Sequence, residues 1–392
     1  MTPTVTISRR GADRVRTGHP WVYRSDVLDV QAEGGDTVRV LGPRERAVGQ
    51  ALFSDWSEIT LRMVARDEAP ADLALWRARI ERAAAYRRSL NLHTTAYRLA
   101  HGEADLLPSL VVDRYGEYLV VQTLSQGTDR LLPEIVRMLV ELEQPAGILA
   151  RNDPRVRLLE GLEQKVELLH GEVPEEVIVR EGGLEFAVDL WKGQKTGFFL
   201  DQRENRAAAA EYARGRVLDC FSYQGAFALM LARRAAEVVA LDVSEAAVAR
   251  IEANAARNGL TNVQARAVNV FDELRELERA GTSFDAIVLD PPAFAKNKAS
   301  VPKALSGYKE INLRALKLLA PGGHLITCSC SYNVDEAMFG GIVTEAAGDA
   351  RASVTVIEKR MQSRDHPVLI GFPESYYLKC FVLRKLDEVR TR

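Results

Sequence analysis

The first 70 positions carry short apolar runs, VTIS, TVRVL, AVGQALF and ITLRMV, separated by Gly, Pro and Asp. They predict a small β-rich module over residues 1–70, without a long amphipathic helix. At Ala71 the pattern changes. In ADLALWRARIERAAAYRRSL, the positions Leu73, Trp76, Ile80, Ala83 and Ala84 recur at helical spacing among arginines. LVVDRYGEYLVVQTL then predicts a hairpin turning at Tyr115-Gly116, followed by a helix after Thr128 and the strands GILA and KVELL. Residues 71–180 therefore read as an α+β middle domain. After LEFAVDL and GFFL, the strands VLDCF, EVVALD, VQARAV, FDAIVLD and GGHLITCSC alternate regularly with helical stretches. Apolar strands alternating with helices predict a doubly wound parallel sheet over residues 181–392, an α/β domain.

Composition agrees with a multi-domain globular chain. Its 392 residues suggest two or three domains, and 47% hydrophobic with 27% charged residues is ordinary for one that buries a core. No apolar run is long enough to span a bilayer, and the start MTPTVTISRRGADRVR has no apolar stretch, so a cytoplasmic protein without a membrane partner is expected. Four cysteines are too few for a disulfide framework in so long a chain. Cys328-Ser329-Cys330, with only the distant Cys220 and Cys380, also lacks paired zinc-ligand spacing, so no metal site is expected.

The net charge of −2 hides two basic segments. Residues 1–24 hold five arginines, Arg9, Arg10, Arg14, Arg16 and Arg24, against Asp13 alone, interleaved with His19, Trp21 and Tyr23. Residues 296–317 hold six cations, from Lys296 to Lys317, against Glu310 alone. Both segments suit a nucleic-acid backbone, and the aromatic residues suit stacked bases.

In a doubly wound sheet ligands bind beyond the carboxyl ends of the strands, so the residues after each apolar run carry the information. The first strand end reads Asp219-Cys220-Phe221-Ser222-Tyr223-Gln224-Gly225, with one glycine where a pyrophosphate cradle needs several. The second ends in Asp242, where a carboxylate accepts ribose hydroxyls, and Ser244 and Asn258-Gly259 then bound the next helix. The fourth ends in Asp290-Pro291-Pro292-Ala293-Phe294, a loop stiffened by two prolines. Three acids and no phosphate nest suit a ligand with a ribose, an amino group and a positive centre. S-adenosylmethionine has all three.

The order DCFSYQGAF, LDVS, DPPAF and TCSCS resembles class I S-adenosylmethionine-dependent methyltransferases. KTGFFLDQRENR at 195–206, GHPWVYRSDV at 18–27 and DHPVLIGFPESYYLKCF near the end narrow it further. Together they resemble the bacterial 23S ribosomal RNA cytosine carbon-5 methyltransferases, built from a PUA domain, a small α+β domain and a Rossmann-like catalytic domain. The resemblance implies that residues 1–70 form the PUA domain. It also implies that Lys195–Arg203, on a hairpin leading into the catalytic sheet, lines the methionine end of the cofactor. The expected cofactor residues are Thr196, Gly197, Phe199, Asp201, Asp219, Phe221, Gly225, Asp242, Asn269 and Asp290. Arg9, Arg10, Arg14, Trp21, Phe294 and Lys296 are the expected RNA contacts, the partner being 23S rRNA or a large-subunit particle. A homodimer follows by analogy alone.

Carbon 5 of cytosine is a poor nucleophile until something adds at carbon 6, and a thiolate does this well. Period-2 geometry puts Cys328 and Cys330 on one strand face and cannot separate them. The resemblance does, since the attacking cysteine of RNA cytosine methyltransferases lies seven residues beyond the second glycine opening this strand, here Cys330. Many such enzymes have a second cysteine after the Pro of the Asp-Pro-Pro-like loop; Ala293-Phe294 stands here instead. Removal of the carbon-5 proton is thus left open between Asp290, a water and Cys328. Asp290 is expected to hold the cytosine amino group or ring nitrogen, and Phe294 to pack on a flipped base. The rival enzyme reading takes Asp-Pro-Pro-Ala-Phe as a loop for methylating the exocyclic amine of guanine or adenine, which needs no cysteine. A non-catalytic RNA-binding assembly factor would need no cofactor residues.

Overall fold

The computed structural model describes residues 3–67, 70–295 and 297–387. The chain forms two compact units, each assembled from three segments: one from residues 1–179, 188–200 and 364–375, the other from 180–187, 201–363 and 376–392.

In the first unit the N-terminal module is a six-stranded sheet: β1 (Thr4–Ile7), β2 (Trp21–Tyr23), β3 (Val27–Gln31), β4 (Thr37–Leu41), β5 (Ala47–Phe53) and β6 (Ile59–Ala65), in the order β2-β6-β5-β4-β1-β3. Between β1 and β2 lies a short helix, α1 (Arg9–Arg16), whose first turn is capped by Ser8 accepting from the Gly11 amide. Helix α1 presents Arg10 and Arg14 to Asp26, at 2.6 and 2.8 Å, and Asp26 is only 1% exposed. Burial raises the Asp26 pKa, but hydrogen bonds from Arg10 and Ser8 and the charges of Arg10 and Arg14 outweigh it, and the net shift is downward. A lowered carboxyl pKa stabilises the fold above the unfolded value and loses that contribution as pH falls below about 4. Asp26→Ala should therefore cost about 1–3 kcal/mol at pH 7 in urea melts, with the gap from wild type closing towards pH 3. A gap independent of pH would mean that packing, not charge, holds this corner.

The middle module begins with α2 (Leu73–Ser89), capped by Asp72. A five-stranded sheet follows, of β7 (Ala96–His101), β8 (Leu110–Tyr115), β9 (Tyr118–Thr123), β10 (Gly147–Asn152) and β11 (Lys165–Gly171), in the order β11-β10-β9-β8-β7. The expected hairpin pairs Tyr115 with Tyr118. Helices α3 (Gln126–Arg130) and α4 (Leu132–Glu143) occupy the stretch read as helical after Thr128. Trp76, Ile80, Ala83 and Ala84 are buried together with Leu119, Ile135 and Leu139, and Leu52 and Val64 of the six-stranded sheet join the same cluster.

A hairpin of β12 (Val177–Glu181) and β13 (Leu184–Val188) precedes the second unit's sheet. That sheet has seven strands: β14 (Arg216–Cys220), β15 (Glu237–Asp242), β16 (Val263–Ala267), β17 (Phe284–Leu289), β18 (Leu319–Ser329), β19 (Val354–Arg360) and β20 (Lys379–Lys385). Their order is β16-β15-β14-β17-β18-β20-β19. Helices α5 (Arg203–Glu211), α6 (Ala226–Ala232), α7 (Glu245–Arg257), α8 (Val270–Arg279), α9 (Val301–Leu318) and α10 (Glu336–Asp349) alternate with the strands. The first five strands are parallel, as the apolar runs predict, and Leu218, Val239, Ile287 and Leu325 are buried in the core. Ser244 caps α7, and Asn258 with left-handed Gly259 closes it.

Three expectations need correction. The sheet is mixed, because β20 enters antiparallel between β18 and β19, and neither β19 nor β20 was read from the sequence. Lys195–Arg203 is not on a hairpin: the hairpin before the catalytic sheet is β12–β13, and this segment is a turn leading into a short 3-10 helix at Leu200–Gln202. Three of the six cations in the basic run 296–317 are paired with acids from other elements. Lys309 pairs with Glu345 and Asp349, and Arg314 and Lys317 pair with Glu278. Among the described residues, no helix is long and apolar enough to cross a membrane, and no cluster of three His, Cys, Asp or Glu side chains is arranged to hold a metal.

Candidate active site

The sheet order reverses at β14, whose neighbours are β15 and β17, and ligands of doubly wound sheets bind beyond the strand ends at this point. Asp219 lies there with no exposure. Its Oδ2 accepts from Ser222 Oγ at 2.5 Å and from the Ala228 amide at 3.0 Å, while Oδ1 is buried without a hydrogen-bond partner among the described residues. Burial above all, then the like charges of Asp290 and Asp242, push its pKa up to about 7 against the pull of Ser222 and Ala228. A buried acceptor lacking a donor, among three carboxylates that repel one another, fits a cationic ligand.

The loop after β14 is held in an uncommon conformation. Phe221 (φ 64°), Tyr223 (φ 52°) and Gly225 (φ 81°) all take left-handed backbone, a strain that persists only where surroundings enforce it. A Cβ on Gly225 would meet Leu229 Cδ1 at 2.8 Å, so this position needs glycine for space as well as for φ. The Tyr223 amide donates to Asp242 Oδ2 and the Ser244 amide to Asp242 Oδ1. These contacts fix the Asp242 carboxylate at the strand end and leave lone pairs on both oxygens. Exposed Asn269 is the N-cap of α8, its Oδ1 accepting from the Phe271 and Asp272 amides. Asp290 accepts from Gln202 Nε2 at 2.8 Å, and Gln202 accepts in turn from Asn205 at 2.7 Å. Asp201 beside it accepts from the Tyr377 hydroxyl. Sequence reasoning missed Gln202, although it stands inside the DQRENR motif.

The two cysteines separate, contrary to the shared-face reading. Strand β18 ends at Ser329, so Cys328 lies within the sheet, unexposed and opposite Cys380 in the register. Its hydrogen bond with Cys380, then burial, push its thiol well above the ordinary range. Cys330 lies one residue past the strand end, half-buried, with Sγ 3.8 Å from the Pro291 carbonyl. Hydroxyls brace this corner: Tyr308 bonds Ser331 Oγ and Ser329 Oγ, and Ser331 Oγ accepts from the Ala295 amide. Phe294 packs among Tyr308 (4.7 Å between ring centres), Phe271 and Phe221, so it belongs to an aromatic cluster under the Asp-Pro-Pro loop.

The remaining described candidates lie in the first unit. The Thr196 hydroxyl is buried, donating to Asp113 Oδ2 and bonding the Tyr115 hydroxyl. Gly197 has φ 130°, and a Cβ there would approach Val188 Cγ1 to 2.8 Å. Lys195 lies over the Phe199 ring. Trp21 donates to Glu103 and packs edge-on against Phe372 at 4.6 Å, and Arg10 and Arg14 are engaged by Asp26. Arg9 is exposed beside Asp13, and Lys296 lies outside the described residues.

Residues 97–370 match the S-adenosylmethionine-dependent methyltransferase family, and residues 5–66 match the PUA-like domain. The chain belongs to the S-adenosylmethionine-dependent methyltransferases. This methyltransferase is 40% identical to Ribosomal RNA large subunit methyltransferase I of Tolumonas auensis, over 98% of this chain and all of the relative. It is 42% identical to the protein of the same name from Shewanella frigidimarina, over 93% of this chain and 95% of the relative. Among solved structures it shares its fold with a SAM-dependent methyltransferase from Streptococcus mutans, at TM-score 0.84 and 22% identity over 98% of this chain and all of the other. Its cofactor is thus the sulfonium donor that the strand-end carboxylates suit, and the N-terminal sheet is the PUA-like module of the methyltransferase.

Proposed function

We propose that this methyltransferase acts on large-subunit ribosomal RNA, the substrate named for its full-length relatives, and methylates carbon 5 of cytosine through a covalent adduct with Cys330. The observation that carries the cytosine reading is the half-buried Cys330 thiol just past β18, facing the Pro291 carbonyl of the Asp-Pro-Pro loop. Amino-group methylation has no use for a thiol there.

S-adenosylmethionine supplies an activated methyl group when bound. In this reading Asp219 and Asp242 would hold the cofactor at the strand ends, and Asp201, Phe221, Gly225 and Asn269 of the same unit would complete its surroundings. The Cys330 thiolate would add to carbon 6 of the base, and the ring electrons this releases would form the bond from carbon 5 to the methyl group as that methyl's bond to the donor sulfur breaks, the sulfur keeping the electron pair and leaving as a neutral thioether. Loss of the carbon-5 proton to a base then lets the Cys330 sulfur leave with its electron pair. Asp290, oriented by Gln202, holds the cytosine edge. Arg9, exposed on α1, serves the RNA backbone.

Incubating the protein with labelled S-adenosylmethionine and protein-free 23S rRNA, followed by nucleoside mass spectrometry, should yield 5-methylcytidine. If naked RNA gives no product, ribosomal particles are the second substrate. Methylguanosine or methyladenosine would sink the cytosine reading and shift the chemistry to the Asp290–Phe294 loop.

A further inference from the structure

Lys379 is a buried cation that the proposed reaction does not yet use. It opens β20 opposite Ser329, is 1% exposed, and donates from Nζ to the Ser331 carbonyl at 2.8 Å and to the Tyr377 carbonyl at 2.9 Å. No carboxylate is paired with it among the described residues. Burying an ammonium without an anion is costly, and a methionine would fill the same space. The charged or titratable groups acting on it are Cys330 first, then Asp335 and Glu336. Both acids are otherwise engaged: Asp335 caps α10, and Glu336 pairs with Lys359 and accepts from Tyr376. From α9, Tyr308 faces the same thiol and remains a neutral phenol. That leaves Cys330 as the anion which Lys379 is placed to balance.

We infer that Lys379 is a positioning residue for Cys330, fixing the Ser331 carbonyl that follows it and holding the sulfur as a thiolate. The inference rests on reading Cys330 as the nucleophile. The thiol proton goes to solvent, the ammonium keeps its three protons, and the resulting pair is neutral. When the sulfur adds to the base its charge passes into the ring, and on elimination it returns beside the same ammonium. Burial lowers the Lys379 pKa to about 8, so this support lasts through neutral pH and fades above it.

The test is the rate of Cys330 alkylation by iodoacetamide against pH, read by peptide mass spectrometry on the full chain. The wild-type midpoint should lie below the ~8.5 of an unassisted thiol, and a midpoint at or above that value overturns the inference without any variant. Lys379→Gln keeps a donor for the Ser331 carbonyl but no charge; it should slow alkylation at pH 7 about tenfold and raise the midpoint by about one unit. Lys379→Arg should stay near wild type. If arginine alkylates as slowly as glutamine, or glutamine as fast as wild type, charge is not the cause and the inference fails. Methyl transfer by Cys330→Ala separately tests whether that thiol is the nucleophile at all.

Discussion

Cys330→Ala should lose methyl transfer by at least about 10⁴-fold, whereas Cys328→Ala should stay within a few-fold of wild type. The asymmetry follows from two residues of chain. Cys328 is a small hydrophobe inside the sheet, unexposed and opposite Cys380, with a thiol held protonated. Truncating it removes one buried sulfur and should cost about 1–2 kcal/mol of stability. Cys330 lies beyond the last sheet bond, where the chain is free to present its sulfur towards the Asp-Pro-Pro loop. Product counting with labelled cofactor decides the matter. RNA containing 5-fluorocytidine adds a trap, since fluorine at carbon 5 cannot leave as a proton does. Wild type should then form a protein–RNA adduct that survives denaturation, and Cys330→Ala should not. An active Cys330→Ala, or an adduct that maps to Cys328, would end the assignment.

Asp219→Asn should weaken S-adenosylmethionine binding about a hundredfold while leaving the ligand-free protein as stable as wild type, or more so, at pH 7.5. The carboxyl is raised from 3.8 to about 7, so it stays protonated in the fold over a range where the unfolded chain ionises. Its contribution to stability is complete below about pH 4, declines from pH 4 to 7, and is gone above 7. Asparagine escapes that slope, and at neutral pH the difference reaches about 4 kcal/mol at most. Its amide oxygen still accepts from Ser222 and Ala228. What it lacks is the negative charge that a cationic ligand would restore to the buried Oδ1. Thermal melts across pH and titration calorimetry with the cofactor check both halves. Cofactor affinity unchanged by the substitution would remove Asp219 from the site.

Much of this was legible in the chain because its signals are local. Parallel strands buried on both faces read as unbroken apolar runs, so β14, β15, β17 and β18 stand out. Ser244 and Asn258-Gly259 mark both ends of α7 in the sequence as they do in the structure. The acids at the strand ends follow from the same pattern. The rest depends on partners distant in sequence. β20 is sandwiched between two strands that precede it, which no local periodicity reports. Asp26, buried, takes up Arg10 and Arg14, two cations of a basic run that looks free, and half-buried Glu278 takes up Arg314 and Lys317. Gln202 and Lys379 lay inside motifs already singled out, DQRENR and YYLKCF, but nothing in their spacing says what they face.

The threading of β20 governs how the chain is made. Strand β18 ends at Ser329, and its partner β20 runs from Lys379 to Lys385. At about 5–20 residues per second, translation leaves that sheet edge uncovered for roughly three to eleven seconds. The first unit waits as well, since residues 364–375 belong to it. Both units therefore close late and almost together, and a message truncated before Lys379 would release a chain with an open apolar edge in place of a smaller working enzyme.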